Sequence, residues 1–230
     1  MPTNRHLLGL THELKNSLAG IKISIEVLLD ELSLSDEDRT VLMRMIREIR
    51  RIELLMRDLL NFARPSKPQF AFVNINTILD TAMTFSLRSA GSSSNGSSLI
   101  TLVKDFDENL PRTMADPMQL QQVFMNLLLN AVESLPAGGS ITVKTVYEAP
   151  GDLIRISISD TGKGVDEELI SRIFDPFVTT KPKGTGLGLP ITKGLIEQHG
   201  GVIHLANNPG GGATFSIILP VKHVEEVEVI

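Results

Sequence analysis

Thr11-His12-Glu13-Leu14-Lys15-Asn16 places an imidazole, a carboxylate and an amide in one short stretch. A neutral imidazole can receive a phosphoryl group through one ring nitrogen, while an adjacent carboxylate accepts a hydrogen bond from the other. The same residues also read as a surface histidine on an ordinary helix. Farther along, Asn126, Asn130 and Glu133 fall on one helical face, opposite Leu120, Val123, Leu127 and Ala131. Amides on an otherwise apolar helix need partners. Either they cap neighbouring backbone, or they help to hold a phosphate-bound Mg²⁺, a hard cation that takes oxygen ligands.

Two glycine-rich stretches could complete a nucleotide site. Ile154, Ile156 and Ile158 alternate with Arg155, Ser157 and Ser159, so a half-buried strand runs into Asp160-Thr161-Gly162-Lys163-Gly164. A carboxylate at a strand end can accept from an adenine amino group, with glycines letting backbone approach the ring; alone, the stretch is also a common turn. Lys183-Gly184-Thr185-Gly186-Leu187-Gly188-Leu189 precedes a helix expected from about Pro190 and Ile191. Bare backbone N–H groups and a helix N-terminus suit phosphate. This loop has neither the Gly-Lys-Ser/Thr ending of Walker A nor the dinucleotide-binding spacing.

The elements that must position these groups follow from periodicity. Leu7, Leu10, Leu14, Leu18, Ile21, Ile25, Leu28 and Leu32 recur at helical spacing, with His12 off the apolar face and Asn16 one turn on from it. That helix should end near Leu32, and Ser35 before Asp36-Glu37-Asp38 reads as the N-cap of a second. In the second helix Leu42, Met45, Ile49, Ile52, Met56 and Leu59 form a heptad seam. A lone hairpin cannot cover so wide a stripe, so two chains pairing into a four-helix bundle is expected, the alternative being a hairpin packed on its own C-terminal part. Pro65 and Pro68 block the second helix's continuation.

Residues 1–64 are therefore expected as a helical hairpin, 65–72 as a linker, 73–222 as an α+β sandwich and 223–230 as a tail. Within the sandwich, helices are predicted at about Asn76–Leu87, from Pro117, at Asp166–Ile173 and at Ile191–His199. Strands are predicted at Ile100–Asp105, Ser140–Tyr147, Leu153–Ser159, Gly201–Ala206 and Ala213–Leu219. Asp116-Pro117-Met118-Gln119 is a helix start with an Asp cap, Pro in the first turn and Gln placed for a capping box. Gly91–Ser98, rich in serine, is a low-complexity loop without assigned chemistry.

Composition excludes several classes. The 230 residues are 42% hydrophobic and 21% charged, as in ordinary soluble proteins, and no apolar run approaches the ~20 residues a membrane span needs. No signal-peptide pattern is present. Without cysteine there are no disulfides, thiolate catalysis or cysteine-bound metal. A net charge of −5, no tryptophan and one tyrosine, Tyr147, argue against nucleic acid as a partner.

In this order the stretches resemble the catalytic core of two-component sensor histidine kinases, over nearly the whole chain. "HELKN" looks like the H box, "NLLLNA" the N box, "DTGKG" the G1 box, "IFDPF" (Ile173 to Phe177) the F box and "GTGLGL" the G2 box. The resemblance implies a dimeric histidine-phosphotransfer hairpin followed by a Bergerat-type ATP-binding sandwich, with ATP and Mg²⁺ as cofactors. It makes His12 the phosphoacceptor, Asn130 the Mg²⁺ ligand and Asp160 the adenine reader; Glu13 is expected to accept from the second imidazole nitrogen, and Asn16 to position a water for dephosphorylation of the regulator. Asn126, Gly162, Gly164, Thr179, Lys181, Lys183, Gly184, Gly186, Leu187 and Gly188 would complete the nucleotide site. Two positions depart from the commonest pattern: Ser17 stands where the H box usually has proline, and Glu133 where many members carry a basic residue.

The implied partners are a second copy of the chain and a response-regulator receiver domain, whose aspartate takes the phosphoryl group. The H-E-x-x-N pattern adds phosphatase activity toward that regulator. The fragment is expected to be cytoplasmic and free of membrane contact, with input domains ahead of Met1 and a membrane anchor compatible with the full-length protein. Rival readings are a Bergerat-fold ATPase, a related serine kinase that would not need His12, and a scaffold that would not need the glycine loops. Related ATPases carry a water-activating glutamate at the position of Asn126, and an amide cannot act as that base.

Overall fold

The computed structural model describes residues 3–32, 34–63, 66–91, 100–181 and 184–222. The expected 223–230 tail and the serine-rich stretch from Ser92 to Ser98 lie outside the described residues. The chain divides into two compact units, residues 1–65 and 66–230.

The first unit is two helices, α1 (Thr3–Glu31) and α2 (Asp36–Ala63). Ser35 caps α2 as its sequence predicts: its Oγ accepts from Asp38 N–H at 3.1 Å, and its carbonyl accepts from Arg39 N–H at 2.9 Å. Ile25 of α1 packs with Ile46 and Ile49 of α2, flanked by Leu18, Leu29 and Leu42. The heptad expectation is only half realised inside one hairpin. Leu42 and Ile49 face the partner helix, whereas Met45, Ile52 and Leu59 stay exposed. On α1, Ile21, Ile23 and Val27 are exposed as well. Two helices touch along one line, so each shields less than the full width of the other's apolar face.

The second unit is a two-layer sandwich. After β1 (Ala71–Val73), α3 (Ile75–Gly91) and β2 (Ile100–Asp105) come β3 (Thr113–Ala115), α4 (Pro117–Glu133) and β4 (Gly139–Glu148). The chain continues through β5 (Leu153–Asp160), α5 (Glu167–Ile170), α6 (Gly188–Gln198), β6 (Val202–Asn207) and β7 (Ala213–Pro220). Five strands form one mixed sheet in the order β2-β4-β5-β7-β6, in which β2 runs parallel to β4 and the other pairs are antiparallel. Alternation decides the faces. Ile154, Ile156 and Ile158 of β5 and Phe215, Ile217 and Leu219 of β7 are buried, with Phe124, Leu127 and Leu128 of α4 and Leu195 and Ile196 of α6 in the same core.

One helix is shorter than expected and one strand pair was not expected. The helix predicted at Asp166–Ile173 is α-helical only over Glu167–Ile170; Arg172 and Asp175 N–H then bond three residues back, to Leu169 and Arg172 carbonyls. Asp175 precedes Pro176, which disfavours helical backbone there. The small antiparallel pair β1–β3 was not predicted, being three residues a strand and too short for alternation to register.

Candidate nucleotide-binding site

Helix α4 supplies one wall. Its N-cap Asp116 accepts from Met118 and Gln119 N–H at 2.9 and 3.0 Å, so the start is where sequence places it. The capping box, however, is not closed. Gln119 Nε2 donates to the Ser66 carbonyl at 3.0 Å, because the Asp116 N–H is already taken by His199 Nε2 at 3.0 Å. On the polar face of α4, Asn126 Nδ2 donates to Thr192 Oγ1 at 2.8 Å, fastening α6 to α4. Gly188 opens α6 against the same amide; a Cβ there would lie 2.6 Å from Asn126 Oδ1.

Asn130 and Glu133 hold a cation. The Lys181 ammonium donates to Asn130 Oδ1 at 2.5 Å and is ion-paired with the Glu133 carboxylate. An amide oxygen and a carboxylate side by side form a donor set that suits a hard cation such as Mg²⁺, which takes oxygen ligands and keeps water and phosphate oxygens around it. No group of three or more His, Cys, Asp or Glu able to cage a metal exists among the described residues. An ion here would need further ligands beyond these two residues.

Asp160 ends β5 at 5% exposure. Its Oδ1 accepts from Gly162 N–H at 2.8 Å, which pins the carboxylate at the strand end. Gly162 has no room for a side chain, since a Cβ would meet Ser134 Oγ at 2.6 Å and Asp160 Oδ1 at 2.8 Å. Gly164 has φ +77°, where L side chains are strained.

Between the F and G2 stretches the backbone folds on itself. Phe177 N–H donates to the Gly186 carbonyl at 2.9 Å, both residues having φ +66°. Thr179 Oγ1 accepts from Lys181 N–H at 3.1 Å, and Gly184 N–H donates to the Lys181 carbonyl at 3.0 Å. Thr185 Oγ1 accepts from Leu187 N–H at 3.1 Å. Helix α6 begins at Gly188, earlier than the start expected near Pro190 and Ile191, and its N-cap Leu187 offers no side-chain acceptor to the first turn. Those N–H groups and the positive end of the helix dipole are available to an anion.

The second unit thus carries Asn126, Asn130, Asp160, Gly162, Gly164, Thr179, Lys181, Gly184, Gly186, Leu187 and Gly188. Lys183 lies outside the described residues. His12, Glu13 and Asn16 are on α1 in the first unit; Asn16 is exposed, and the side chains of His12 and Glu13 lie outside the described residues. Sequence reading missed Thr192, Ser134, Asn207 and Asn208. For the last two, an Asn-Asn-Pro-Gly-Gly-Gly turn between predicted strands was the available signal.

Comparison with known proteins assigns both units. Residues 4–68 match the His Kinase A (phospho-acceptor) domain family, and residues 115–223 match the histidine kinase-, DNA gyrase B- and HSP90-like ATPase family. The chain is 34% identical to the signal transduction histidine-protein kinase AtoS of Escherichia coli K12, over 94% of this chain and 34% of the relative. It is 36% identical to the sensory histidine kinase/phosphatase NtrB of Rhodobacter capsulatus, over 94% of this chain and 61% of the relative. The chain therefore spans only part of the length of these relatives. Among solved structures, full-length ShkA in complex with AMPPNP superimposes with a TM-score of 0.82 at 27% identity, covering 96% of this chain and 47% of that one. The catalytic domain of histidine kinase ThkA gives a TM-score of 0.58 at 30% identity, over 67% of this chain and 97% of that domain. With a phospho-acceptor helical unit followed by an ATPase-type sandwich that carries the N, G1, F and G2 stretches, the chain belongs to the two-component sensor histidine kinase family.

Proposed function

We propose that this protein autophosphorylates on His12 with ATP and passes the phosphoryl group to an aspartate of a response-regulator receiver domain. In this reading the first unit is the dimerisation and phosphotransfer hairpin, and residues 73–222 of the second unit are the ATP-binding domain. The observation that carries it is the pairing of a buried strand-end carboxylate, Asp160, with an uncapped helix start at Leu187 and Gly188 in one domain. The first suits an adenine amino group and the second suits phosphate.

The chain's own residues divide the work. Asp160 accepts from the purine amine, and the Thr185–Gly188 backbone with Lys181 meets the phosphates. Asn130 is the residue proposed to hold Mg²⁺, which when bound supplies neutralising charge for the triphosphate. Neutral His12 attacks the γ-phosphorus, so an N–P bond forms as the bridging P–O bond to ADP breaks. Glu13 accepts a hydrogen bond from the second ring nitrogen and stabilises the imidazolium. Asn126 is engaged by Thr192, and an amide cannot activate water, which favours transfer to a side chain over ATP hydrolysis.

The exposed apolar residues Ile21 (52%) on α1 and Ile52 (41%) on α2 support pairing of two hairpins into a four-helix bundle. Use of ATP supports a cytoplasmic location for this part of the protein. The name of the NtrB relative includes phosphatase; with the H-E-x-x-N pattern, it supports dephosphorylation of the regulator as a second activity, for which we propose Asn16. The test is incubation with γ-labelled ATP, followed by acid and by alkali. Label that survives alkali, is lost in acid and is absent from His12→Gln supports the reading; acid-stable label, or label persisting in His12→Gln, overturns it.

A further inference from the structure

The turn joining β6 to β7 makes contacts that a connection does not need. Asn207 spends both ends of its amide on one residue: Oδ1 accepts from Val165 N–H at 2.8 Å and Nδ2 donates to the Val165 carbonyl at 2.6 Å. Asn208 donates Nδ2 to the Asp160 carbonyl at 3.1 Å, while its Oδ1 accepts from the Thr214 hydroxyl at 2.6 Å. An Asx turn ordinarily bonds its own backbone two residues on. These amides instead reach 42 and 48 residues back along the chain.

The turn itself is built to present them. Asn208 N–H donates to the Gly212 carbonyl at 2.9 Å, and Gly212 has φ +86°. It passes so close beneath the loop that a Cβ would lie 1.9 Å from the Asp160 carbonyl oxygen. Gly164 is also crowded, with a Cβ position 2.9 Å from Asn207 Oδ1. The 160–165 loop is therefore bound at both ends by one turn, Asp160 by Asn208 and Val165 by Asn207, with Gly162 wedged against Ser134 between them.

We infer that Asn207 and Asn208 are positioning residues that hold the Asp160–Val165 backbone in the one arrangement that aims the Asp160 carboxylate at the 6-amino group of a purine, and so set selectivity for adenine. The inference rests on the ATP-binding reading. A site built to hydrogen-bond a particular group rejects an analogue lacking it far more strongly than a site held only by shape. Loosening the carboxylate's support therefore erodes discrimination more than it erodes phosphate binding.

The test uses the full chain, displacing a fluorescent ATP analogue with ATP and with inosine triphosphate, which carries oxygen in place of the 6-amino group. Asn208→Ala and Asn207→Ala are expected to weaken ATP about tenfold while inosine triphosphate changes less than about threefold, so the preference ratio falls. In autophosphorylation the loss falls on KM, with kcat at saturating ATP changed less than about twofold. Asn208→Asp keeps the acceptor for Thr214 but loses the donor to Asp160, and should be as unselective as Asn208→Ala. Thr214→Val removes the opposite bond and should stay selective. Equal weakening of both nucleotides, an unchanged ratio, or a selective Asn208→Asp overturns the inference. Wild-type protein that binds no ATP at all overturns the reading beneath it instead. If Asn208→Ala does not fold, Asn207→Ala and Asn208→Asp decide.

Discussion

Lys181 is ion-paired with Glu133, and the same ammonium donates to Asn130, so the loop after the F stretch supplies a cation where α4 carries an acid. Both side chains are substantially exposed, and exposed pairs contribute little to stability, about 0–1 kcal/mol. In the function proposed above, their effect falls on the nucleotide. Lys181→Met should weaken ATP binding about tenfold with little change in melting temperature, since a charge-assisted contact to phosphate is lost. Glu133→Gln removes like-charge repulsion and should tighten Mg²⁺-free ATP about threefold at low salt, fading as salt is added. Calorimetry at two ionic strengths checks both; the charge assignment fails if Glu133→Gln weakens Mg²⁺-free ATP.

Gly186 admits no side chain. At φ +66° an alanine is strained by roughly 1–2 kcal/mol, and its Cβ would sit 2.5 Å from the Phe177 carbonyl carbon. Nothing can yield, because the obstacle is backbone. Gly186→Ala should break the Phe177–Gly186 bond and abolish ATP binding, while far-UV circular dichroism and the melting of the sheet stay near wild type. A variant that binds ATP normally would show that this bend is dispensable.

Much of this was legible because the signals are local. The Ile154-Ile156-Ile158 alternation and the Ser35 and Asp116 caps are set by neighbours in the chain, and each recurs in the structure. Asn130 and Asp160 stood out as polar residues at the edge of apolar runs. What could not be read is what distant segments supply. Glu133 looked like an unexplained departure until Lys181, 48 residues on, was seen against it. Asn207 and Asn208 gave only a turn signal, because their partners Val165 and Asp160 are reached across the sheet. The Gln119 capping box failed for the same reason: His199 occupies the N–H that it needed.

His199 ties the end of α6 to the start of α4 and is 3% exposed. Its Nε2 accepts from Asp116 N–H, so the proton sits on Nδ1, 2.8 Å from the Leu195 carbonyl, with Phe70 edge-on to the ring. Burial pushes its pKa below the ordinary value, with Lys222 acting the same way and the Leu195 bond and Asp116 opposing. A depressed pKa means that the unfolded chain binds the proton more readily. The stabilisation is complete above the unfolded value of about 6.5 and is lost as pH falls through the folded one. Wild type should lose more stability between pH 8 and 5.5 than His199→Gln, measured by urea unfolding. Parallel losses in the two proteins would count against this bond.

Asn16 is exposed on α1, four residues after His12, a spacing of about one helical turn. An amide there can both donate and accept, and can hold a water in line with an aspartyl phosphate without ionising. In the proposed scheme, positioning a water needs the amide, whereas attack of His12 on ATP does not. Asn16→Ala should therefore slow dephosphorylation of a pre-phosphorylated cognate regulator at least ~10-fold, a rise of about 1.4 kcal/mol in the barrier, with autophosphorylation little changed. Asn16→Asp tests the chemistry separately: it keeps acceptors but no donor when ionised, and its negative charge faces the phosphoryl group, so it should be no better than alanine. Measuring both rates in each variant separates lost water positioning from a damaged helix, since damage would lower autophosphorylation in step. Dephosphorylation at the wild-type rate in Asn16→Ala would remove this residue from the reaction.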